Sequence, residues 1–388
     1  MTFRKYKATQ LFDGDTLQSD KVLLANTDGS IEAIVATSDA GDGIEELDGI
    51  LTPGLINAHC HLELSHLKDV IPPHTGLVEF LCSVVTKRGF AAELVQQEIE
   101  KAAKEMYDNG IVAVGDICNT TDAITVKSKS SIRWQSFIEV LSFTDAKSAE
   151  NMAHYKTILD AHEKALASPN RHVLTPHAPY SISSNTFELL NAATTGKIIS
   201  IHNQEHPAED ELYKTGGGDY LRLFKIFGVE ESPFPVTRKS SLQTYLPHFK
   251  NGQTIFLIHN TYMPQEDIAF ANNFAKVNGL QLVYCFCPNA NLYIENKLPP
   301  VETFMANHCN IVLGTDSYSS NWQLSIAKEI QTLHKNFPAI PLQTILQWAT
   351  SNGARALQWQ NELGSFKKGM KPGITLLAND LETSVRVL

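Results

Sequence analysis

The sequence predicts an α/β chain: a (β/α)8, or TIM, barrel carrying a small β-sandwich domain that the two ends of the chain build together. Three observations predict it. Eight short, near-continuously apolar and β-branched runs each end on a polar residue, the pattern of parallel strands buried on both faces. Helical patterns separate them, as crossovers between parallel strands require. The two ends of the chain read differently, as short strands broken by turn residues.

Taken in order, residues 1–50 carry Asp13-Gly14, Asp28-Gly29 and Asp48-Gly49, each expected to be a tight turn. The eight runs follow at 51–61, 111–116, 131–140, 173–177, 198–202, 255–259, 282–285 and 311–316. A helical stretch over 93–109 stops at Gly110, the residue type that closes helices in the left-handed conformation. Stretches over 152–167 and 186–193 precede the fourth and fifth runs, and 264–278 opens on acidic residues and stops at Gly279. The tail reads as strand at 373–378 and 384–388. The expected division is 51–364 for the catalytic barrel and 1–50 plus 365–388 for the small domain.

With 43% apolar and 19% charged residues in 388, the chain can bury a large core. A net charge of −10 argues against a general nucleic-acid or anionic-membrane binder, and a small-molecule substrate is the expected partner. No apolar stretch reaches the roughly 18 residues of a membrane span. The first residues lack the apolar core of a signal peptide, and the six scattered cysteines show no CxxC spacing; both point to reduced thiols in the cytoplasm. A homodimer is compatible with a barrel of this size.

In such barrels chemistry sits at the C-terminal strand ends. Here those ends carry His59 and His61, Asp116, Glu139, His177, His202, His259, the 285–288 segment and Asp316. His59 and His61 are two apart, so on a strand both imidazoles face one side and suit a divalent metal. His202 offers a third imidazole, and Glu205, three residues on, is placed to shuttle a proton from metal-activated water. Asp316 offers a hard oxygen ligand. His259 is either a fourth imidazole ligand or a group that orients the attacking oxygen, and the second role leaves a position open for water. The fourth strand end carries no lysine to bridge a second metal, so one ion is expected and His177 is free to meet substrate. Asp116 and Glu139 line the pocket or serve structure. His66, His74, His206 and His308 read as loop or surface residues, Cys285 and Cys287 as packing, and Gly216-Gly217-Gly218 as a flexible connection.

Pro53-Gly54-Leu55-Ile56-Asn57-Ala58-His59-Cys60-His61, His202-Asn203-Gln204-Glu205, His259 and Leu313-Gly314-Thr315-Asp316-Ser317 together resemble the amidohydrolase superfamily over essentially the whole chain. The missing lysine is similar to its mononuclear type. Three features narrow the resemblance to the deaminase and chlorohydrolase branch, which includes S-adenosylhomocysteine and guanine deaminases. They are the His-x-x-Glu at His202, Pro176-His177-Ala178-Pro179-Tyr180-Ser181, and Cys287-Pro288-Asn289-Ala290-Asn291, where Ala290 replaces the branch's usual serine. The loop from Glu205 to Gly218 looks like that of aminodeoxyfutalosine deaminases. The resemblance implies that His59, His61, His202 and Asp316 hold one Zn²⁺ or, in second place, Fe²⁺. It implies that Glu205 carries a proton from water to a ring nitrogen, that His259 supports the attacking oxygen, that Asp316 passes a proton to departing ammonia, and that His177 contacts the base or its sugar. A hydrolase of the same fold with another leaving group, such as chloride, an alkylamine or a cyclic amide, is the alternative. A non-catalytic scaffold is disfavoured, because scaffolds lose ligands and this chain keeps them all.

Overall fold

The computed structural model describes residues 3–229 and 232–388. The N-terminal segment forms β1 (Arg4–Phe12), β2 (Leu17–Gln18), β3 (Lys21–Ala25), β4 (Ile31–Ala36) and β5 (Ile44–Pro53). Eight strands follow: β6 (Leu55–Cys60), β7 (Ile111–Cys118), β8 (Arg133–Val140), β9 (Arg171–Pro176), β10 (Ile198–Asn203), β11 (Thr254–His259), β12 (Gln281–Phe286) and β13 (Ile311–Leu313). The tail adds β14 (Ile374–Leu377) and β15 (Ser384–Arg386).

The two ends of the chain meet in one seven-stranded sheet of order β15-β14-β5-β1-β3-β4, with β2 on β1. β14 runs antiparallel to β5, from Ile374 opposite Pro53 to Leu377 opposite Ile50. Asp28-Gly29 turns between β3 and β4, with Gly29 at φ 83°. Asp48-Gly49 does not form the expected hairpin turn. It lies inside β5, where Asp48 and Gly49 together oppose the single Thr9 of β1 as a bulge. Gly49 is needed there: at φ 143°, a Cβ would lie 2.2 Å from the Leu377 carbonyl oxygen.

The other eight strands form two parallel four-stranded sheets, β6-β7-β8-β9 and β10-β11-β12-β13. The sheets touch at both edges. At one seam the His202 N–H donates to the His177 carbonyl at 3.0 Å; at the other, the N–H groups of Thr315 and Asp316 both donate to the His59 carbonyl at 3.0 Å. Helices lie between successive strands, among them Ala92–Asp108, followed by Gly110 at φ 79°, and Gln265–Asn278, closed by Gly279 at φ 68°. Among the described residues no helix is long and apolar enough to cross a membrane.

The first expected run, 51–61, is two strands rather than one. Residues up to Pro53 belong to the terminal sheet, and the parallel sheet starts at Leu55. Gly54 is the joint. Its N–H bonds the carbonyls of Pro372 and Gly373, both at 3.2 Å, and a Cβ there would meet Val112 Cγ1 at 2.2 Å. The last run also ends early, at Leu313, and Asp316 lies beyond it in a left-handed conformation.

Beneath the strand ends, Asp116 of β7 and Lys127 of helix Ile124–Lys129 form an ion pair at 2.5 Å with both side chains fully buried. Burial alone would discharge Lys127, but Asp116 outweighs it and pushes the ammonium up to about 12. The other Asp116 oxygen accepts the Leu62 N–H at 2.8 Å, next to His61. Lys127→Met strands a buried carboxylate, so unfolding stability should fall by about 3–5 kcal/mol. Chemical denaturation checks it, and a loss under about 1 kcal/mol would contradict it.

Candidate active site

Four imidazoles and two carboxylates converge where the strands end. His59 is the fifth residue of β6 and His61 the first residue past it, so strand alternation sends both to one side. The His59 ring centroid lies 5.0 Å from that of His61, 5.1 Å from that of His202 and 5.6 Å from that of His259. His61 Nε2 and His202 Nε2 face each other at 3.3 Å. Asp316 Oδ1 lies 3.6 Å from His59 Nε2 and 3.5 Å from His61 Nε2.

The backbone is held in left-handed conformations at this centre. Gln204, His259 and Asp316 have φ of 42°, 68° and 59°. For non-glycine residues that conformation is costly and persists only where the surroundings impose it, which is typical of functional sites.

Hydrogen bonds sort the imidazoles by role. His202 Nδ1 donates to the His177 carbonyl at 2.8 Å, which leaves Nε2 as a lone pair aimed at the centre. His59 is fully buried, and neither of its ring nitrogens has a hydrogen-bond partner. His259 is arranged the other way round. Asn291 Nδ2 donates to its Nδ1 at 3.1 Å, so the ring proton sits on Nε2, 3.5 Å from Glu205 Oε1 and 3.9 Å from Asp316 Oδ2. Ser320 Oγ donates to Asp316 Oδ2 at 2.7 Å, leaving Oδ1 turned to His59 and His61.

The electrostatics agree with a cation-binding centre. Burial holds His59 and His202 below the usual imidazole range and His259 down to about 3, so all three are neutral. Burial alone would raise Asp316, but His59, His61 and His259 outweigh it and keep the carboxylate ionised. Burial, reinforced by the Asp316 charge, pushes Glu205 well above the usual carboxylate range; a cation between them would pull it back. Neutral imidazoles around one buried carboxylate are the donor set of a divalent metal, and the orphaned His59 nitrogens fit such an ion.

The centre floors a cleft of about 750 Å³. His177, Glu205, His259 and Asp316 face it, and Leu77, Phe80, Leu81 and Val84 of helix Leu77–Lys87 form an apolar wall. His177 Nδ1 donates to Glu139 Oε1 at 2.6 Å, so Glu139 fixes the His177 ring and does more than line the pocket. Asp116 stays below the site, with Lys127.

Some readings change. His66 is not a surface residue but buried, its Nε2 3.2 Å from the Arg88 carbonyl. His206 caps helix Pro207–Thr215 by accepting the Ala208 N–H, and Gly216 closes that helix at φ 78° rather than only linking segments. Asn291 and Ser320 went unread by sequence reasoning. Asn291 stands in a stretch singled out for its resemblance, but nothing local says that an amide there would set a histidine tautomer.

Parallel strands ending in such a ring of imidazoles and carboxylates are a setting suited to metal-assisted hydrolysis. Residues 50–387 match the Amidohydrolase family, and the chain belongs to it. Adenosine deaminase of Helicobacter pylori is 27% identical over 81% of this chain and 76% of its own length. The crystal structure of Helicobacter pylori aminofutalosine deaminase in complex with methylthio-coformycin covers 97% of this chain and 92% of that one, with a TM-score of 0.76 at 21% identity. An adenosine deaminase from Xanthomonas campestris with bound zinc covers 97% of this chain and 84% of that one, with a TM-score of 0.75 at 20% identity. These relatives are named as deaminases, and the chain is similar to them over most of its length.

Proposed function

We propose that the protein releases ammonia from a purine-like or aminonucleoside-like substrate, the aminodeoxyfutalosine type in first place, with one divalent metal ion held by His59, His61, His202 and Asp316. Zinc is the first choice and iron the second. The observation that carries this reading is the clustering of the His59, His61 and His202 imidazoles, with Asp316 Oδ1 3.6 Å from His59 Nε2 and 3.5 Å from His61 Nε2 and the buried His59 nitrogens otherwise unpartnered. The zinc in the Xanthomonas campestris deaminase supports the choice of metal. We also read the two four-stranded sheets as halves of one (β/α)8 barrel, supported by the bonds at both seams, and the terminal sheet as a small β-sandwich domain. Its border with the barrel falls at Gly54.

The metal would supply Lewis acidity that brings the pKa of water toward ~7. Glu205 takes the proton of the attacking water and delivers it to the ring nitrogen, which readies the amidine-type carbon for ammonia loss. His259, with its proton fixed on Nε2 by Asn291, donates to the attacking oxygen. Asp316, steadied by Ser320, helps pass a proton to the leaving amine. His177, outside the ligand set, presents Nε2 to the base or sugar while Glu139 holds Nδ1.

The test is ammonia release by metal-loaded enzyme from a panel of aminopurines and aminonucleosides. At least one member should turn over. Silence across the panel, with hydrolysis of a chloro-, alkylamino- or cyclic-amide substrate instead, would replace this reading by the alternative leaving groups.

A further inference from the structure

Gln204 stands between His202, which faces the metal centre, and Glu205. It is buried and left-handed, and three carboxylates close on it. Glu209 Oε1 accepts its backbone N–H at 3.0 Å and also accepts the Ser241 hydroxyl. Asp210 Oδ1 accepts Gln204 Nε2 at 3.2 Å and the Ser241 N–H at 3.0 Å. Asp267 Oδ2 accepts Gln204 Nε2 at 2.6 Å. The Gln204 carbonyl in turn accepts the Tyr262 N–H at 2.9 Å.

Glu209 is the member of this group that needs an explanation. Its side chain is fully buried, and it is absent from the cleft wall, so it touches neither substrate space nor the imidazoles. It sits in the first turn of helix Pro207–Thr215, where the helix dipole favours an anion, yet burial pushes its carboxyl up to about 8. A carboxylate placed there only for the dipole would face water, because burying one is costly. This one is turned inward onto the amide that precedes Glu205.

We propose that Glu209 is a positioning residue for the proton transfer: by holding the Gln204 N–H and the Ser241 hydroxyl together, it locks the left-handed turn that aims the Glu205 carboxylate at His259. This rests on Glu205 being the proton carrier. An error of about 1 Å in such a group costs turnover about 100-fold without changing what binds.

The experiment is a double-mutant cycle of Glu209→Ala and Glu205→Gln in metal-loaded enzyme, with adenosine and the fastest amine of the panel as substrates. Glu209→Ala should lower kcat about 10–100-fold and leave KM and metal content unchanged. Glu209→Gln, whose amide oxygen accepts the same N–H, should restore most of kcat. In the Glu205→Gln background, Glu209→Ala should cost nothing further, since the residue it acts through is already disabled. Effects that multiply would overturn the inference and leave Glu205 as carrier. Full turnover by Glu205→Gln alone would overturn the carrier and this inference with it. A crystal structure of Glu209→Ala gives a readout independent of turnover: Glu205 should swing away from His259, and an unmoved carboxylate refutes the role.

Discussion

Glu205→Gln lowers kcat by about 10²–10⁴-fold and leaves the metal bound. The substitution keeps the shape of the side chain and removes only its ability to take and release a proton. Glu205 is buried in the cleft floor, with its Oε1 3.5 Å from His259 Nε2. It belongs to none of the clusters of mutually close ligand atoms, which are drawn from His59, His61, Glu139, His177, His202, His259 and Asp316. Metal content by elemental analysis should therefore match that of the unaltered chain while ammonia release collapses. Full turnover would remove Glu205 from the proton path. Loss of metal would make it a ligand instead.

Much of this centre was readable before folding was considered. Strands buried on both faces carry an apolar, β-branched signature that no surface strand shares, and a histidine that ends such a run has few other reasons to be there. His59, His61, His177, His202 and His259 stand out for that reason. What could not be read depends on partners far apart in the chain. The Gly54 joint exists because Pro372, Gly373 and Val112 crowd it. Asp48-Gly49 has the composition of a turn, but β14 runs beside it and draws it into a bulged strand. The same holds for Lys127 under Asp116, Asn291 on His259 and Ser320 on Asp316. Each is an ordinary polar residue whose meaning appears only when another strand end arrives. Glu209 is an intermediate case: its spacing from Glu205 is local, but the Ser241 hydroxyl that completes its contacts is not.

His61→Ala should strip the metal while His177→Ala keeps it. Two overlapping groups share His202: one adds His59 and His61, the other Glu139 and His177. The second is already satisfied without an ion. Glu139 Oε1 is bonded to His177 Nδ1 at 2.6 Å, and the carboxylate is held below its usual range mainly by that histidine, against the effect of burial. The first has nothing in its place: His59 has no partner, and His61 and His202 point their Nε2 atoms at each other. Two imidazole nitrogens at that distance, with the His202 proton committed on Nδ1, gain most from a shared cation. Loss of His61 should weaken metal binding by more than the roughly 10–100-fold that removing an outer hydrogen bond costs. Ammonia release should fall with it and recover only in part under excess metal. Elemental analysis after dialysis decides the matter. Unchanged stoichiometry in His61→Ala, or metal lost only in His177→Ala, would move the ion to the Glu139 side and make His177 a ligand rather than a substrate contact.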